Sequence, residues 1–273
     1  MQRRSFTAMG TDVEVLLDAP EGPTATDALD RVEADFERLE QTLSRFRPDS
    51  ELSRLNAAGR LDDASPDLGR VLELAIDARE ETGGLFDPTV HDALVAAGYD
   101  RTFAEVIPDG PSCGPSPRCG GEIRIDGLSV ELELGTHVDL GGIGKGYAVD
   151  RACDLLAVAG PCLVNAGGDI AVRGGAWPVG VGEGLTLELS RGAIATSGRD
   201  RRRWRRGGEE LHHLIDPSTG FPAEGDFLRV TVVAASATEA EVLAKAAFFG
   251  AEVDVPRVLV TADGRTILAG GLA

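Results

Sequence analysis

The chain has 273 residues, enough for one large core or two modest ones. Its formal net charge is −18, from 45 acidic and 27 basic side chains. A surface of that sign repels phosphate backbones and anionic lipid, which argues against nucleic acid and charged membrane surfaces as partners.

No apolar block in the first residues, MQRRSFTAMGTDVEVLL, is long enough for a signal peptide or a membrane span. A cytoplasmic location is expected. Residues 5–17 alternate apolar and polar and predict a strand. Residues 24–43 predict a helix, with Leu29, Val32, Phe36, Leu39 and Leu43 on one face. A turn at Pro48-Asp49 and a short helix after Ser50 follow. Ser65-Pro66 reads as an N-cap with proline at the first helical position. That helix ends at Gly83-Gly84, and Pro88 opens another short one. Residues 102–121 are rich in proline and glycine and contain Cys113 and Cys119. No histidine accompanies this pair, which argues against zinc, and a reducing compartment would keep the two as thiols.

Strands are predicted over 122–126, 129–134 and 136–140, then near 162–173, 177–182, 185–189 and 192–196. RDRRRWRRGGEELHHLID (199–216) predicts a hairpin turned at Gly207-Gly208, its basic arm facing an acidic one. This charge pattern suits a solvated hairpin better than a nucleic-acid contact. A strand over 229–235, a helix over 238–249 and a hairpin turned at Asp263-Gly264 close the chain. With no internal repeat and no linker, residues 1–273 read as one mixed α/β domain.

VDLGGIGKGYAVD (138–150) is the densest stretch. Asp139, four glycines and Lys145 lead into a helix predicted over 147–158. Glycines permit close backbone approach, and a helix N-terminus offers unpaired N–H groups to an anion. It is not a Walker loop, since Gly146 and Tyr147 follow the lysine where Ser or Thr would hold magnesium, and the glycine spacing departs from the dinucleotide fingerprint. Spacing alone leaves phosphate binding and a plain packing turn as alternatives. Lys145 and Lys245 are the only lysines among the basic residues, so each is a candidate for a specific task.

AMGT (8–11), SRFRPDSELSRLN (44–56), TGGLFDPTV (82–90), VDLGGIGKGYAVD, LVNAGGDI (163–170), AIATSGRD (193–200) and HHLIDPSTGFP (212–222) follow one another along the chain. In these motifs the chain resembles the ApbE family, the FAD:protein FMN transferases. The motifs occur in the family's order over nearly the whole length. The resemblance implies a T-fold-related α+β domain with largely antiparallel sheets flanked by helices. It implies transfer of FMN from FAD to a Ser or Thr hydroxyl of an acceptor flavoprotein, with release of AMP. FAD would be the substrate and Mg2+ the usual metal. Met9, Phe46, Leu85, Phe86, Asp87, Asp139, Lys145, Asn165, Ser197, His213 and Ile215 would contact the flavin nucleotide. His213, Asp216 and Lys245 would be catalytic, with His213 the base for the acceptor hydroxyl. Gly142, through its carbonyl, and Glu241 would face the metal.

The last motif departs from the family pattern, which has Asp and, four residues on, Thr or Ser as metal ligands. Glu241 and Lys245 stand there instead. The longer carboxylate suits magnesium's tight octahedron poorly, and an ammonium cannot ligate. One alternative is a plain helix start, with Thr238 and Glu241 as a capping box and Glu241 to Lys245 as an i,i+4 pair. The other places the Lys245 ammonium where the cation would sit. The departure also leaves open a non-catalytic flavin-binding homologue or an FAD pyrophosphatase.

Overall fold

The computed structural model describes residues 1–107, 109–111, 114, 117–182 and 184–272. Its centre is an eight-stranded sheet in the spatial order Gln2–Ala8, Thr11–Leu17, Cys162–Ala166, Asp169–Gly182, Leu185–Gly198, Phe227–Ala234, Arg257–Thr261, Thr266–Ala269. Every neighbouring pair in it is antiparallel. The helices are α1 (Pro23–Leu43), α2 (Glu51–Ala58), α3 (Pro66–Glu81), α4 (His91–Ala96), α5 (Gly144–Ala157) and α6 (Ala237–Phe248). α5 packs on strands Cys162–Ala166 and Asp169–Gly182, and α6 on Leu185–Gly198 and Phe227–Ala234.

Local chemistry sets the helix starts. Ser50 and Ser65 each accept a hydrogen bond from the N–H three residues on, at the heads of α2 and α3. α1 has only Gly22 before Pro23, and it is held by its apolar stripe, in which Val32, Phe36 and Leu39 are fully buried.

Several boundaries differ from the sequence reading, each for a local reason. Residues 5–17 are not one strand but a hairpin, paired from Gln2↔Leu17 to Ala8↔Thr11. Its turn is Met9-Gly10, with φ of 53° and 69°. Two left-handed residues in succession are what a tight hairpin turn needs, and a two-residue turn leaves the apolar alternation undisturbed on either side. Residues 136–140 form no strand. The Asn56 side chain takes the place of a neighbouring strand there, bonding both the N–H and the C=O of Val138 at 2.8 Å. α5 begins three residues earlier than predicted, at Gly144, so Lys145 lies in its first turn. The predicted strand 162–173 is split by a turn at Gly167-Gly168, and the segments beyond it merge into Asp169–Gly182 and Leu185–Gly198, with register shifts between Arg173 and Trp177 and between Gly180 and Gly182. Cys113 lies outside the described residues, while Cys119 is a half-buried free thiol.

The basic hairpin pairs Arg205 with Glu210 and Arg206 with Glu209, as the charge pattern predicts. Its Trp204 is buried, and the indole N–H donates to Ala97 O at 2.7 Å.

The α5–α6 contact is built by backbone. The Asp150 carboxylate on α5 accepts from the N–H groups of Ala237 and Thr238 and from the Thr238 hydroxyl, at 2.8–2.9 Å. It thus satisfies the free N–H groups at the start of α6 and favours its positive end. A Cβ at Gly146 would fall 2.6 Å from Ala237 O. Gly146→Ala should therefore push the two helices apart, with a loss of about 1–3 kcal/mol in urea unfolding. Unchanged stability in that variant would show that the contact yields without cost.

Candidate active site

A cavity of about 780 Å³ opens where the Met9 hairpin turn, the 44–47 loop, the 85–90 segment, the glycine loop and α6 converge. It is at the upper end of the range for small-ligand sites. Of the residues singled out in the sequence, Met9, Phe46, Leu85, Phe86, Asp87, Asp139, Gly142, Lys145, Ser197, His213, Ile215, Glu241 and Lys245 all line it. Asn165 and Asp216 do not. The Asn165 side chain accepts from Gly168 N at 3.0 Å and fixes the turn before Asp169. Asp216 accepts from the N–H and hydroxyl of Ser218, at 2.8 and 2.7 Å, and shapes the turn after Ile215.

One wall is aromatic and cationic. The Arg45 guanidinium lies 4.2 Å from the Phe46 ring centre and 4.8 Å from that of Tyr99. Arg45 is almost fully buried, donates to Tyr99 O at 2.7 Å and is ion-paired with Asp139. Asp139 also accepts from Gly141 N at 2.7 Å, which fixes the first turn of the glycine loop. Neither Arg45 nor Tyr99 was singled out in the sequence. The signal for Arg45 was present: it directly precedes Phe46 in SRFRP.

At the cavity floor four charges meet. Lys145 is ion-paired with Asp169 and lies 2.6 Å from Glu241 Oε1. Lys245 Nζ lies 3.3 Å from the same oxygen. The other Glu241 oxygen accepts from Gly146 N at 3.0 Å. Burial works against every one of these charges, and mutual pairing offsets it. It would raise Glu241, yet the Lys145 and Lys245 ammoniums hold that carboxyl down at about 2. It would lower Lys145, yet Asp169 and Glu241 hold it above the ordinary lysine range. Burial does push Asp169 up and Lys245 down from their ordinary values. Asp169, the aspartate of LVNAGGDI, is the floor residue that the sequence reading missed.

The predicted capping box moves with the helix start. Ser236, not Thr238, is the N-cap of α6, and its hydroxyl accepts from Glu239 N at 3.1 Å. Glu239 in turn accepts from Ala235 N at 3.1 Å. Glu241 is thereby free to turn inward to the lysines.

This donor set does not fit a magnesium ion. Both carboxylates are already engaged by ammoniums, and the Lys245 stem packs over Gly142, its Cε 2.9 Å from where a Cβ would stand. A divalent cation would have to displace a positive charge from each carboxylate it used.

The adjacent histidines take opposite roles. His212 is buried, its Nε2 bonded to Ala223 O at 3.0 Å and its Nδ1 accepting from Leu214 N at 3.3 Å. His213 faces the cavity, and its buried Nδ1 has no hydrogen-bond partner among the described residues. Burial, then the Arg202 and Lys245 charges, pushes His213 well below its ordinary value of 6.5. The ring is a neutral imidazole at pH 7, at the cavity wall. Arg202, at the foot of the basic hairpin, also lines the cavity.

The ApbE family model matches residues 9–267 of the chain. The FAD:protein FMN transferase of Treponema pallidum is 32% identical over 263 aligned residues, covering 81% of this chain and 70% of that protein. The protein of the same name from Rhodobacter capsulatus is 28% identical across 97% of this chain, which spans 54% of that protein's length. Among solved structures, the ApbE protein of Thermotoga maritima superposes with a TM-score of 0.85 at 25% identity, over 98% of this chain and 96% of that one. The flavin transferase ApbE of Vibrio cholerae shares the fold, with a TM-score of 0.78 at 23% identity over 98% of this chain and 96% of that one.

Proposed function

The chain belongs to the ApbE family, and from that premise we propose that it is an FAD:protein FMN transferase in which two lysines stand where a metal would otherwise act. The observation that carries the reading is the neutral His213 imidazole, its Nδ1 unpartnered, in the same cavity as the paired Lys145 and Lys245. The acceptor Ser or Thr oxygen attacks the phosphorus on the flavin side of the FAD pyrophosphate. The hydroxyl proton passes to His213. The bond from that phosphorus to the oxygen of the AMP phosphate breaks, and AMP leaves. Negative charge grows on the leaving phosphate as it departs, and fixed cations lower the barrier by offsetting it. Lys245 and Lys145 supply that charge from the floor, while Arg45, Phe46 and Tyr99 offer a flat cationic–aromatic wall to the flavin or adenine ring. FAD is the substrate, and the partner is a protein hydroxyl.

The test follows FAD and candidate acceptor proteins incubated with the purified chain. AMP matched by covalent in-gel flavin fluorescence on the acceptor is the expected result. AMP with free FMN alone would make the chain a pyrophosphatase, and no AMP would overturn the reading.

Binding of the nucleotide is expected to favour FAD over FMN by roughly tenfold or more, the effect of one further charge-assisted contact. Fluorescence titration with each flavin measures this. Equal affinity would mean that the adenylate half of FAD touches nothing useful in the cavity.

A further inference from the structure

Two of the chain's four histidines, His91 and His137, lie outside the cavity and converge on one carboxylate. His91 Nδ1 is 2.8 Å from Asp92 Oδ1, and His137 Nδ1 is 2.8 Å from Asp92 Oδ2. The two rings are 5.5 Å apart, centre to centre. One donor atom from each of the three residues falls within 4.8 Å of the others. We propose that His91, Asp92 and His137 bind a divalent transition-metal ion of the zinc type, with water completing its coordination.

Bonds of 2.0–2.2 Å to a tetrahedral zinc put neighbouring donors about 3.3–3.5 Å apart. The two Nδ1 atoms lie against different oxygens of Asp92, so binding through one of these oxygens requires an imidazole to move toward it by a small side-chain rotation. Two imidazole nitrogens and one carboxylate oxygen suit zinc, cobalt, nickel or copper and not magnesium. Side-chain exposures of 19% for His91, 31% for Asp92 and 38% for His137 leave an entry path and room for water.

The ion would join two segments that meet at the cavity edge. His91 and Asp92 open α4, just after the Phe86–Val90 stretch, and His137 precedes Asp139 and the glycine loop. A single backbone bond, Asp139 N to Pro88 O at 2.8 Å, already spans them. The metal acts as a second clasp, fixing Val90 relative to Asp139 while standing apart from the charges on the floor.

Titrating the full chain with zinc chloride in a calorimeter tests this. One ion per chain is expected, with affinity at least tenfold weaker in His91→Ala and in His137→Ala. A readout on the unsubstituted protein guards against variants that fold poorly. Imidazole nitrogen NMR resolves four histidines, and zinc should shift His91 and His137 and leave His212 and His213 in place. The absence of saturable binding, undiminished affinity in the doubly substituted chain, or zinc shifts at His212 or His213 would each overturn the proposal.

Discussion

Replacing His213 with alanine is expected to lower AMP release from FAD by ~10²–10⁴-fold, the usual contribution of a positioned base, with FAD affinity little changed. The split between turnover and binding is what distinguishes a base from a wall residue. His213 Nδ1 is buried and makes no hydrogen bond among the described residues, so its removal leaves no partner of that nitrogen unpaired. The pH profile adds a signed test. Burial and the Arg202 and Lys245 charges lower the imidazole's proton affinity, so the neutral form persists to pH values well below 6.5. The acid limb of the turnover profile should therefore lie below 6.5, and it should vanish from the residual rate of His213→Ala. Undiminished AMP release in that variant would remove His213 from the reaction.

The second large effect concerns the metal. The unmodified chain should release AMP equally well in EDTA and in magnesium, because Lys145 and Lys245 already occupy the carboxylates of the floor. Glu241→Asp combined with Lys245→Thr removes one ammonium and shortens the carboxylate, leaving an aspartate and a hydroxyl at i and i+4 on α6. That pair, with Asp169, offers oxygen donors to a hard cation. The double variant is expected to lose tenfold or more of its activity in EDTA and to regain it with magnesium. The paired change matters: Glu241→Gln alone would leave two buried ammoniums sharing only Asp169, at a cost of ~3–5 kcal/mol. EDTA-sensitive turnover in the unmodified chain would end this account.

Much of the site could be read from the sequence because it comes in short motifs whose residues stay together in space. The glycine loop, the LFDP segment and His213 of the histidine pair all reach the cavity. The adjacent histidines divide, His213 into the cavity and His212 away from it, because the strand Glu209–His212 ends at His212 and the chain bends at His213. What the sequence hid depended on partners far along the chain. Asp169 is unremarkable until Lys145, on another element, meets it. Val138 looks like a strand residue, and only the distant Asn56 amide shows why it is not one. The Met9-Gly10 turn was invisible for a different reason. A two-residue turn preserves the alternation that defines a strand, and methionine at positive φ is not a usual turn residue.

The clasp between Asp150 and the head of α6 has a consequence for how this cleft can change over evolutionary time. The spacing of the two helices is set by Asp150, Thr238 and Gly146, and the charge pattern by Lys145, Asp169, Glu241 and Lys245. No residue belongs to both sets, and they meet where Gly146 N donates to Glu241. A lineage can therefore revise the electrostatics of the floor one or two residues at a time while the walls keep their positions. On the proposed reading, a lysine and a metal are two ways to furnish the same floor, two substitutions apart at Glu241 and Lys245.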